Sequence, residues 1–239
     1  MAESVGREAA ELSPRPPART DAWTDIALTM PLFVAYHAMV PFLPLRNGAD
    51  FVTTRLAALA DHSIPVYVAL TALLAATTCA LLVGFGHREK LRLRHLALVA
   101  VEGIVYAAAM RLVAGYSVGA LHLAAGIPVS GTFSSVAMSL GAGVYEELAF
   151  RVVLFGLGAK LILTMDDFPP AYVYPAWALV SAVVFSGWHH TGSMGEAFAV
   201  EPFVFRVVCG LCFTLIYAYR GFAPAVWTHT LYDIWVLVF

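Results

Sequence analysis

The sequence has little charge: 14 basic and 16 acidic residues in 239, or 13%, against 60% hydrophobic residues. Soluble domains carry about a quarter of their residues charged, so a soluble globular protein is excluded. A mean hydropathy of +0.77 points the same way. There is no basic excess, the net charge being −2, which removes the electrostatic footprint of a nucleic-acid binder. Cysteine is scarce, and Cys79, Cys209 and Cys212 all fall in apolar stretches, where they read as packing residues. The CxxC spacing of Cys209 and Cys212 lacks the polar flanks that a redox or zinc site needs. Several hydrolytic motifs are also absent: there is no HExxH, and no GxSG, because Val184 precedes Ser186-Gly187 where the first glycine would stand. An aspartyl design needs two intramembrane aspartates and leaves only Asp233 available. No glycine-rich phosphate loop or nucleotide motif is present.

What the sequence has is apolar runs, at about 22–45, 64–85, 96–115, 132–162, 171–189, 202–219 and 222–239. At about 20 residues per helical crossing, these predict an all-α polytopic transmembrane bundle of seven spans. An uncharged stretch from Tyr116 to Pro128 reads as an eighth crossing, a re-entrant piece or an interfacial segment, between which hydropathy does not choose. Residues 1–21, with seven charges and Pro14 to Pro17, read as a polar disordered tail. Residues 22–131 then form an N-terminal set of membrane helices and 132–239 a core set. Arg7, Arg15 and Arg19 before the first span, and Arg88, Lys90, Arg92 and Arg94 between the second and third, place both segments in the cytoplasm by the positive-inside rule. The expected location is a bacterial-type inner or plasma membrane. An eighth crossing near Tyr116 would invert every later helix.

Ionisable groups inside spans cost at least ~2.5 to 3.5 kcal/mol each at mid-membrane, so each needs a reason. Glu102 and Arg111 read as structural, His37 and His122 as packed or interfacial, and Arg206 and Arg220 as snorkelling near the ends of the sixth span. One constellation is different. Glu146, Glu147 and Arg151 lie in the middle of a long apolar helix, and Glu147 and Arg151 stand at i and i+4 in the favourable order for a pair. Glu146, about 100° around the helix, is left free for general acid or base work. The next span ends in Phe185-Ser186-Gly187-Trp188-His189-His190, with Phe185 and His189 on one face. The last span carries His229 and Asp233 at the same spacing. A hairpin turning near Asp167 would bring Glu146 and His189 to similar depth. His190 points elsewhere and reads as interfacial or supporting.

A facing Glu and His can hold and deprotonate a water. A second His, fixed by Asp233, could donate to the oxyanion of a tetrahedral intermediate. Glu146, His189 and His229 are also a chemically reasonable zinc set with an open position. A reading from another class is a proton-coupled transporter or immunity protein using the buried Glu and His as a relay.

EExxxR at Glu146, Glu147 and Arg151, FxxxH at Phe185 and His189, and HxxxD at His229 and Asp233 together resemble the CAAX protease and bacteriocin-processing family, also called CPBP or Abi. The resemblance implies an intramembrane endopeptidase acting on a membrane-anchored protein or peptide; members have been called metalloproteases, and here no cofactor is expected, with zinc left open. In it Glu146 and His189 activate water, and His229 and Asp233 form the oxyanion side. Glu147 and Arg151 support the site, and Phe185 packs beneath it. The family's last position is often Asn, whereas an ionised Asp233 can only accept a hydrogen bond. A glutamic mechanism is preferred to a metal-dependent one.

Overall fold

A computed structural model describes residues 21–43, 47–61, 63–85, 93–119, 131–165, 167–192 and 195–239. All regular structure among the described residues is helical. The helices, in order, are α1 (Ala22–Met39), α2 (Phe51–Leu59), α3 (Ile64–Phe85), α4 (Leu93–Ser117), α5 (Thr132–Met165), α6 (Pro170–Trp188), α7 (Val200–Arg220) and α8 (Phe222–Val238). The tail expected over residues 1–21, Asp21 apart, lies outside the described residues, as does His122.

Sequence chemistry sets the ends of these helices. Asp21 starts α1 by accepting hydrogen bonds from the backbone N–H groups of Trp23 and Thr24, at 3.0 and 3.1 Å. Asp50 starts α2 in the same way through Thr53 N–H at 2.8 Å. Between α7 and α8 the chain turns on Gly221 alone, with φ 111°, a conformation open to glycine. The first N–H of α8, on Phe222, donates to the buried carboxylate of Asp25 at 2.6 Å. Asp25 is a further aspartate inside the first span, and its role is to tie the start of α1 to the start of α8.

Among the described residues, six helices are long and apolar enough to cross a membrane: α1 with its short extension to Phe42, α3, α4, α5, α6 and α7. The chain is a multi-pass membrane protein. The expected seventh span forms α8, 17 residues long and not among these six, so a count of seven to eight spans is not confirmed. Helix α8 packs against α1, α4, α5 and α7 and is sheathed by protein, with Ala223, Pro224, Ala225, Val226, Thr228 and Thr230 all buried. The expected eighth crossing falls mostly on residues 120–130, outside the described residues; its start, Tyr116 to Gly119, is the end of α4 and a turn.

Close approach around α8 depends on glycine. A Cβ on Gly143 of α5 would lie 3.0 Å from the backbone of Val226 and Thr230 and would strike the Thr230 hydroxyl. Gly103 of α4 backs onto Trp227 and Thr228, and Gly141 onto the ring of Tyr36. This is the small-residue packing of membrane helices. Charged groups in the spans find partners: Arg220 holds Glu102, the two-point contact closing at 2.5 and 3.0 Å, and Arg206 holds both oxygens of Glu196 at 2.7 Å. Neither arginine snorkels as its position near a span end suggests, because a half-buried carboxylate lies within reach.

Candidate active site

The centre of the site is α5, which is not a regular α-helix there. Its backbone widens into π-helical turns over Ala142–Glu146 and Leu148–Leu157. Such widening is rare and concentrates at functional positions. Glu147 and Arg151 still meet, with Oε2 and Nε 3.2 Å apart and both side chains fully buried. The guanidinium lies 4.5 Å from the centre of the Phe185 ring and 5.2 Å from that of Phe213, so ring faces and one carboxylate surround its charge.

The hairpin of α5 and α6 brings Glu146 and His189 to one level. Oε2 of Glu146 is 3.8 Å from Nε2 of His189 and 4.0 Å from Nε2 of His229 on α8. This oxygen is buried and has no hydrogen-bond partner among the described residues. His189 stands at the C-terminal cap of α6, and its Nδ1–H donates to the carbonyl of Phe185 at 2.9 Å. That bond fixes the tautomer, leaving a bare Nε2 on the neutral ring facing Glu146.

His229 is held more tightly than the sequence indicates. Its Nδ1 donates to Oε1 of Glu147 at 2.8 Å, while Asp233 approaches Nε2 with Oδ2 at 3.5 Å. Glu147 therefore bridges Arg151 and His229, where the sequence assigns it to Arg151 alone. Phe213 stacks on the His229 ring at 4.5 Å and 18°, and Phe185 lies under both histidines, its ring centre 4.9 Å from that of His189 and 6.0 Å from that of His229. His190 turns away, bonded to the carbonyl of Glu196 at 3.2 Å and packed on Phe198 and Phe203.

Two parts of the site carry no motif. Asn47, in the connection between α1 and α2, donates from Nδ2 to Oε1 of Glu146 at 2.7 Å. Its Oδ1 accepts from Ala49 N–H at 2.8 Å, and this settles which way the amide points. The neighbouring Gly48 backs onto the Trp188 indole, with 3.5 Å to a Cβ placed there. Behind Glu146, Tyr145 bonds Nε2 of His37 at 2.6 Å, and the other ring nitrogen of His37 bonds Tyr67 at 2.8 Å. His37 is thus a buried connector between α1, α3 and α5. The only sequence signal for Asn47 is the Asn47-Gly48 dipeptide, which marks a turn rather than a site.

Zinc asks for a tighter donor set than this one. Tetrahedral N and O ligands lie about 3.3 Å from one another, closer than the 3.8 and 4.0 Å found between Glu146 and the two histidines. Both nitrogens of His229 already face carboxylates. Among the described residues no group of three His, Cys, Asp or Glu side chains is disposed to hold a metal ion. The geometry does not fit zinc.

An all-helical membrane bundle that buries Glu146, Glu147, Arg151 and His229 in an apolar core and sets the half-buried His189 at their edge is consistent with the site of an intramembrane enzyme. Residues 128–235, a little under half of the chain, match the family described as type II CAAX prenyl endopeptidase Rce1-like, a family of intramembrane proteases. No match was found among the curated proteins or among the solved structures. The matched segment contains α5 to α7 and most of α8; Asn47 and His37 lie outside it.

Proposed function

We propose that the protein is an intramembrane endopeptidase that hydrolyses a peptide bond of a membrane-anchored protein or peptide by water activated between Glu146 and His189. The observation that carries this is the unpartnered Oε2 of Glu146 facing two imidazole Nε2 atoms at 3.8 and 4.0 Å. These separations are too long for direct hydrogen bonds and suit one bridging water. Glu146 takes a proton from that water, and the bare Nε2 of His189 accepts its second hydrogen and orients it. The water oxygen bonds to the scissile carbonyl carbon, and the oxyanion forms beside His229. Because Nδ1 of His229 already donates to Glu147, this ring offers an N–H at Nε2 only as the imidazolium, with Glu147 and Asp233 supplying counter-charge. Asp233 acts through His229 and not as a donor. The C–N bond then breaks, and the proton held by Glu146 passes to the leaving amine.

Convergence of three groups on one water-sized point supports hydrolysis over a proton relay, which would string them along a path. The substitution Glu146→Gln keeps the shape and the Asn47 contact but removes the base, and should lower kcat about 10²- to 10⁴-fold. The assay follows cleavage of a substrate identified by comparing protein termini in wild-type and Glu146→Ala membranes; full activity in Glu146→Gln would sink the mechanism. Treatment of the purified enzyme with 1,10-phenanthroline should leave the rate unchanged, and inhibition reversed by added zinc would contradict the glutamic reading.

A further inference from the structure

We infer that the site opens on the membrane face opposite the cytoplasm, and that its substrates are membrane-anchored segments of exported proteins. The substrate half rests on the endopeptidase reading; the orientation half does not. Counting spans leaves the face undetermined, because a crossing between α4 and α5 would invert everything after it. Direct contacts avoid the count. Arg88, Lys90, Arg92 and Arg94 put the connection between α3 and α4 in the cytoplasm. The connection between α1 and α3, one crossing away, is then on the other side, and it carries Asn47. Asn47 bonds Glu146 at 2.7 Å and Gly48 packs on Trp188, next to His189. The mouth of the site is therefore on the side of that connection, whatever residues 120–130 do.

Two further observations agree. Asp25, at the start of α1, bonds the start of α8 directly after Arg220 and Gly221, so the cytoplasmic ends of these helices meet below the site. Exposure also runs in one direction. His189 and Asp233 keep 26% and 22% of their side-chain surface open, whereas Glu147 and Arg151 keep none. Arg151 is one turn further along α5 toward the α5–α6 hairpin, and Phe185 one turn back along α6, so charged and aromatic side chains close the floor on the cytoplasmic side. A prenylated tail presented from the cytoplasm would meet that floor, while an exported polypeptide held by its own membrane anchor would meet the mouth.

The test uses the full chain in intact bacterial cells, in a background carrying Cys79→Ala, Cys209→Ala and Cys212→Ala. Single reporters are placed by Thr54→Cys on α2, Thr191→Cys after α6 and Arg94→Cys at the start of α4, all exposed positions. A membrane-impermeant maleimide should label Thr54→Cys and Thr191→Cys without permeabilisation, and Arg94→Cys only after it. The opposite pattern, or Thr54→Cys and Thr191→Cys on different sides, would overturn the orientation. A second arm needs no cysteine replacement: termini lost in Glu146→Ala membranes should map to extracytoplasmic segments, and termini mapping to cytoplasmic C-terminal tails would overturn the substrate class. If no terminus changes, the endopeptidase reading fails, and with it the substrate half, while the labelling still decides the face.

Discussion

Asn47 separates two roles that a single alanine substitution would confuse. Its carbonyl builds a turn by accepting from Ala49 N–H, and its amide donates to Glu146. An aspartate keeps the first role and loses the second, while setting a carboxylate against the proposed base. If the amide aligns Glu146, Asn47→Asp should lower kcat roughly 10- to 100-fold, the equivalent of one hydrogen bond to a charged group. KM should stay within about twofold, since losing one bond that orients the base alters alignment more than affinity. Asn47→Ala, which removes both bonds, gives the same kcat loss with an added loss of stability. Wild-type kcat in Asn47→Asp would show that only the turn matters. Glu146 is then free of positional control from the α1–α2 connection.

At the scale of helices, close contact between α5 and α8 holds Glu146 and Glu147 against His229. Gly143→Ala places a methyl group 3.0 Å from the backbone of α8, where no side-chain rotation relieves it. The two helices must part, and the 2.8 Å bond from His229 to Glu147 lengthens with them. This variant should lose both thermal stability and activity. Gly84→Ala on α3, which meets nothing within 4 Å, should change neither; equal behaviour of the two would contradict the packing account. Helix positions of this kind were legible in the sequence because apolar runs and i, i+4 spacing are local signals. Glu147 and Arg151, Phe185 and His189, and His229 and Asp233 each lie on one helix, and spacing alone pairs them. The bond from His229 to Glu147 crosses helices and is shorter than the local approach of Asp233, 2.8 against 3.5 Å, and periodicity does not reveal it. Asn47 is invisible for a different reason: it sits in a connection with no repeat, and its function comes from what α5 places opposite it. The apolar run of α8 does not by itself separate a span from a helix sheathed by protein, because burial in protein and burial in lipid select the same residues.

For the whole molecule, the division at residue 131 that composition proposes does not divide the site. Helix α1 supplies Tyr36, against which Gly141 packs, and His37, which bonds Tyr145 next to Glu146. Asp25 caps α8, and the Trp227 indole N–H donates to the carbonyl of Leu28 at 3.0 Å. The segment that matches the protease family, residues 128–235, thus contains the histidines and glutamates but not the groups that brace them. Membrane helices inserted separately can associate through such packing and hydrogen bonds, which makes a split chain a fair probe. Cut in the basic connection, fragment 93–239 expressed alone should insert but cleave nothing, lacking Asn47 against Glu146 and His37 against Tyr145. Co-expression with fragment 1–92 should restore cleavage, and restoration should drop sharply when that fragment carries Asn47→Asp. Measured on the same substrate, full activity of 93–239 alone would mean that α1 to α3 are dispensable packing. Restoration unaffected by Asn47→Asp would mean that the N-terminal helices act by bracing the bundle and not through the carboxylate of Glu146.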